Sequence, residues 1–245
     1  MSDQMIPAAV LDEVRRDLRP VRPLPAPLVR ALIVLPVGLA LLAGLPITWG
    51  LRHNIGELAP WASWGLSALE SLAGLLIVGA ALAEAVPGRR LSARAVTLTV
   101  FAGALIPITL TAITNGLVPA AEAPGVRVRF MIECFDQIAI WAMPAVAVPA
   151  WLAARAWPER PAVAGAFYGL GTGVMADAGA RLFCWVSSPL HVLISHGGAI
   201  LAVTIGGALL ATLIDRWRPR TSLLPGGAGG RRIEADRPPP QGGTR

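Results

Sequence analysis

The chain has 245 residues, of which 54% are hydrophobic and only 15% charged, and its mean hydropathy is +0.60. Soluble domains carry about 25% charged residues, so the composition excludes an ordinary soluble enzyme or binding module and points to an integral membrane protein. The net charge of +6 comes from arginine with no lysine. The arginines cluster between apolar runs, which suits membrane loops better than a nucleic-acid surface.

Residues 1–27 are polar and lack the apolar core of a signal peptide, so the first apolar run is expected to stay as an uncleaved helix. Within this segment Ile6, Val10, Leu11, Val14 and Leu18 recur at helical spacing, with Asp12, Glu13, Arg15, Arg16 and Asp17 around the rest of the turn. The prolines of Arg19 to Pro27 stop that helix and stiffen an extended spacer. A helix of this kind either lies on the lipid surface, its arginines against anionic headgroups, or enters a groove on a soluble partner.

Six runs then meet the length of about 20 apolar residues that a membrane crossing needs. They fall near 30–51, 61–85, 95–116, 130–153, 162–185 and 190–214. Prolines inside them, such as Pro36, Pro46, Pro107, Pro144 and Pro149, are tolerated where neighbouring helices satisfy the freed backbone groups. With both termini on one side, the opposite loops hold only Arg52, Arg127 and Arg129, and Arg181 lies within a run. All other arginines fall on the side of the termini, which predicts a cytoplasmic location for both ends. The expected fold is an all-α integral membrane protein with six transmembrane helices. Residues 1–27 form a cytoplasmic amphipathic helix and spacer, 28–215 the membrane domain, and 216–245 a Gly-, Pro- and Arg-rich cytoplasmic tail that reads as disordered.

Ionisable residues inside membrane helices are costly and usually functional. In the fifth run Gly165, Gly169, Gly173, Asp177, Arg181 and Cys184 share one face. Its glycines allow close helix packing, and Asp177 with Arg181 forms an i, i+4 pair expected to be structural. Glu70 sits in mid-membrane, and Glu133, Cys134, Asp136 and Gln137 lie near the outer end of the fourth run. Carboxylates at 70, 133, 136 and 177 thus outnumber the single intramembrane arginine, a hint of metal or proton sensitivity.

The fourth and fifth runs are antiparallel, which brings Cys134 and Cys184 to similar depth on the outer side although fifty positions separate them. His191 and His196 open the sixth run on the same side. Five residues apart on an α-helix, they are expected on different faces, so both need not bind one ion. Two cysteines, a histidine and a carboxylate suit a soft or borderline metal such as zinc, and Glu133, Asp136, His191 and His196 are the accessory candidates. The bland alternative is that both cysteines are small apolar fillers. Catalytic signatures such as Gly-x-Ser-x-Gly and His-Glu-x-x-His are absent from the sequence, and no enzyme is expected.

The run Asp17-Leu-Arg-Pro-Val-Arg-Pro-Leu-Pro, the Glu133-Cys134-Phe135 triplet, and Cys184 followed by Ser188-Pro189-Leu190 and His196-Gly197 together resemble the NrsF-type family. These are bacterial six-helix membrane negative regulators of extracytoplasmic-function sigma factors. The resemblance implies an anti-sigma factor of the inner membrane with no direct nucleic-acid contact. Its N-terminal segment, through Val10, Leu11, Val14, Arg15, Leu18 and Arg19, would hold the sigma factor. Cys134 and Cys184 would sense metal or oxidative stress, through a transient metal ion or a disulfide. Where the family commonly has an aromatic residue before the late histidine, this chain has Ser195. The rival readings are a small transporter or channel with Glu70, Asp136, Asp177 and Arg181 along its path, and a haem or redox protein using His191 or His196.

Overall fold

The computed structural model describes residues 11, 12, 15, 16, 23–117, 128–186 and 188–218, and among them the regular structure is helical, with no strand. Six long helices follow in chain order: α1 (Pro27–Trp49), α2 (Trp61–Glu84), α3 (Ala93–Leu117), α4 (Val128–Ala154), α5 (Pro161–Phe183) and α6 (Pro189–Trp217). Five of them, all but α5, are long and apolar enough to cross a membrane.

Proline positions account for the local breaks. Pro36 has no N–H to give the Leu32 carbonyl, and α1 turns at Ile33–Val34 before resuming at Leu35. Pro149 stands in the same relation to Ala145, and α4 breaks at Val146. Pro161 and Pro189 occupy first-turn positions of α5 and α6, where a missing N–H costs nothing.

α5 is the axis of the molecule, packed against α2, α6, α1 and α4, with every residue from Phe167 to Ala180 buried. Its glycines, Asp177 and Arg181 lower its hydropathy, a composition that suits a helix enclosed by others rather than by lipid. The glycines let backbones touch on two sides. A Cβ on Gly169 would stand 2.5 Å from the Val203 carbonyl of α6, and one on Gly171 would stand 2.5 Å from the Gly74 carbonyl of α2. Val78, Leu82, Ile138, Phe167, Tyr168 and Met175 fill the core around it. The outer faces carry exposed Leu69, Leu72 and Leu76 on α2, Leu98, Phe101 and Leu105 on α3, and Leu201, Ile205 and Leu209 on α6. Such an apolar exterior around a core that contains charges is what a bilayer requires.

One end of the bundle is tied by arginine. Arg30, buried at the start of α1, donates to the Leu152 carbonyl at 2.6 Å and to the Leu82 carbonyl at 3.5 Å, the last turns of α4 and α2. Those carbonyls have no partner within their own helices, and the cation meets the negative ends of two helix dipoles. Nearby, Arg160 pairs with the buried carboxylate of Glu84 at 2.7 Å, and Arg90 pairs with Glu159 at 2.5 Å. The Arg90 guanidinium and the Gly88 N–H hold the Glu159 carboxyl below its usual range. Arg218, past the end of α6, reaches the Ala154 carbonyl. The start of α1 and the end of α6 therefore share this face, the one rich in arginine.

Of the expected partner anchors, Leu11 and Arg15 are helical and exposed, and Arg15 stands 3.7 Å from Asp12. Val10, Val14, Leu18 and Arg19, and the tail from residue 219, lie outside the described residues.

Candidate functional site

The face opposite the arginine-rich one holds the chemistry. α5 ends at Phe183, and Cys184, still bonded through its N–H to the Ala180 carbonyl at 2.8 Å, turns into an extended conformation. This turn brings its sulfur against α4, where Cys134 is buried, and the two Sγ atoms are 3.5 Å apart. The expectation of equal depth holds, and both are free thiols.

α6 begins with Pro189, and Ser188 Oγ accepts the His191 N–H at 3.4 Å. The next six residues, Val192–Gly197, form a π-helical turn rather than an α-turn. A π-turn closes its hydrogen bonds from i to i+5, so residues five apart come to the same face. The two imidazole rings accordingly meet edge-on, with centroids 5.4 Å apart. This overturns the expectation that His191 and His196 lie on different faces. That expectation assumed α-helical geometry, and the local helix is wider.

His191 is fully buried, with Nε2 3.3 Å from Cys184 Sγ and Nδ1 3.5 Å from Ser195 Oγ, and it stacks on Phe130 at 5.5 Å. His196 Nδ1 lies 2.5 Å from Asp177 Oδ1, and its Nε2 is buried without a hydrogen-bond partner. One ligand atom from each of Cys134, Cys184, His191 and His196 falls within 4.8 Å of the other three. Trp185 roofs the cluster, touching Phe130 and His53.

Beneath the cluster runs a chain of buried charge. Asp177 pairs with His196, the Glu70 carboxyl lies beside Asp177, and Arg181 Nε stands 3.3 Å from Glu70 Oε2. Arg181 also donates to Thr114 at 2.7 Å, Thr111 at 3.0 Å and the Leu110 carbonyl at 3.1 Å, all on α3. The i, i+4 pair expected between Asp177 and Arg181 is thus exchanged for two pairs that each join different helices. A cavity of about 20 Å3 beside them, lined by Arg52, Arg181, Cys184 and His196 among others, has room for a single water.

Glu133 and Asp136 do not join the cluster. Both are exposed, and Glu133 binds Arg129 at 2.8 Å, one turn earlier on α4. The apparent surplus of membrane carboxylates therefore resolves into two rim groups and two buried ones with cationic or imidazole partners. Sequence reasoning missed the Asp177–His196 contact, whose only signal was a buried acid and a histidine at one level of antiparallel helices. It also missed the role of Arg30, which reads in sequence as an ordinary flanking charge.

No curated protein and no solved structure matches the chain. A family model does, over residues 15–217, a range that includes the whole cluster and the chain of charge beneath it. That model describes NrsF, negative regulator of sigma F, and with most of the sequence matched the chain belongs to this family and is a negative regulator of a sigma factor.

Proposed function

We propose that the chain is an inner-membrane anti-sigma factor with six spans and both termini in the cytoplasm. Its N-terminal segment, with Val10, Leu11, Val14 and Leu18 as apolar anchors and Arg15 and Arg19 as charged ones, holds an extracytoplasmic-function sigma factor away from RNA polymerase. Release follows when Cys134 and Cys184 respond to metal or oxidant on the outer side. The observation that carries this reading is the 3.5 Å separation of two buried thiols supplied by different helices.

The packing offers a route from site to segment. Cys184 is joined directly to α5, and α5 packs backbone to backbone against α1 where Gly179 meets Leu41. α1 in turn follows the N-terminal segment in sequence. A movement of α5 that follows the thiols is therefore felt by the helix that carries the sigma-binding end. A switch that changes sigma affinity about 100-fold needs a coupling free energy of about 2.7 kcal/mol, within the usual allosteric range.

The test is a double substitution, Cys134→Ser with Cys184→Ser, read with a reporter of the sigma-dependent regulon. Repression should persist and induction by cadmium or peroxide should disappear. Normal induction in the double variant would rule out the cysteine pair as the sensor.

A further inference from the structure

We propose that Cys134, Cys184, His191 and His196 form one four-ligand site for a thiophilic divalent ion of the zinc and cadmium type. The proposal rests on the cysteine-switch reading and gives it a ligand set that includes both histidines. Three independent features of the structure support it: distance, free valence and charge.

Sulfur bonds of about 2.3 Å and nitrogen bonds of about 2.0 Å at tetrahedral angles put ligand atoms roughly 3.3–3.8 Å apart. The Cys134–Cys184 sulfur separation of 3.5 Å and the Cys184–His191 separation of 3.3 Å already fall near that range. The widest separation among the four atoms is 4.8 Å, so loading closes the cluster by about 1 Å.

Each imidazole is held by one nitrogen and offers the other. Asp177 grips Nδ1 of His196 at 2.5 Å, and Ser195 lies 3.5 Å from Nδ1 of His191. A carboxylate or hydroxyl on the second nitrogen is how proteins fix the ring and tautomer of a ligating histidine. The buried Nε2 of His196, with no hydrogen-bond partner, is the group that such an ion would satisfy.

Charge favours the same ion. On binding, the two thiols lose their protons, and two thiolates with two neutral imidazoles cancel a divalent charge. A neutral centre is the form that costs least to bury within a membrane protein. The separations that exceed the tetrahedral range must shorten on loading, and because Cys184 continues α5, a shift of the cluster is passed to that helix.

The full-length protein in nanodiscs, titrated with Co2+, reads the site directly. One Co2+ per chain should bind, with sulfur-to-metal charge-transfer bands and the strong visible bands of tetrahedral cobalt. X-ray absorption of the wild-type protein loaded with Zn2+ should give two sulfur and two nitrogen neighbours, a readout that needs no variant to fold. His191→Ala and His196→Ala should each weaken binding by more than 100-fold, whereas Asp177→Asn, a change to a positioning residue, should weaken it about 10- to 100-fold and leave the tetrahedral bands in place. A sulfur-only or oxygen-rich shell, or Co2+ binding indifferent to both histidines, would overturn the four-ligand site. Such a result leaves the cysteine switch standing. Conversely, an intact Co2+ site in a protein whose induction ignores both cysteines would remove the switch and keep the site.

Discussion

Arg181 shows how a single residue holds the membrane interior together. Its guanidinium reaches Glu70 on α2 and three oxygen atoms of α3, so one side chain on α5 joins three helices. Breaking a buried pair by removing one partner leaves an uncompensated charge and costs about 3–5 kcal/mol, whereas replacing both can be nearly neutral. Arg181→Met is therefore expected to destabilise the protein by that amount. The double variant Arg181→Met with Glu70→Gln should recover more than half of the loss. Unfolding of the purified protein in detergent measures both. Equal destabilisation by the single and the double variant would show that Glu70 and Arg181 are not energetically coupled.

The element that matters most is the first turn of α6. A five-residue spacing of histidines separates them on an α-helix and unites them on a π-turn, so the wider turn at Val192–Gly197 is the device that assembles the cluster. Deleting Ile194 shortens the spacing to four, at which an ordinary α-turn keeps both rings on one face. Inserting one alanine after Ile194 lengthens it to six, which neither turn closes. The deletion should retain Co2+ binding and the insertion should lose it, while both leave the thermal stability of the remaining helices similar. Retention of the ion in the insertion variant would mean that one of the histidines is not a ligand. The same turn marks where sequence reasoning stopped. Apolar runs, arginine placement and the level of two cysteines on antiparallel helices were legible because each depends on a period or a count. The π-turn was not, because a single extra residue in a helix leaves no periodic trace in so short a segment. The Glu70–Arg181 and Asp177–His196 pairs were hidden for a related reason: i, i+4 spacing proposes a local partner, and only the packing of α2, α5 and α6 reveals the nearer one.

At the scale of the whole molecule the two ends of the bundle have different chemistry. One is bound by arginines that cap helix ends, with Arg30 joining α1 to α2 and α4, and it carries the sequence leading to the N-terminal segment. The other holds two thiols and two imidazoles under an aromatic roof. α5 joins them through glycine contacts too close to be altered without moving a neighbour, and close packing of that kind passes a displacement on instead of absorbing it. The central claim is that the thiol cluster controls the hold on the sigma factor. Its most direct measurement is the dissociation constant of the regulated sigma factor for the full-length protein in nanodiscs, with and without Cd2+. The wild type should lose about 100-fold in affinity, equivalent to about 2.7 kcal/mol, and the variant carrying Cys134→Ser and Cys184→Ser should not change. An unchanged constant for the wild type, or an equal loss in the variant, would contradict the claim.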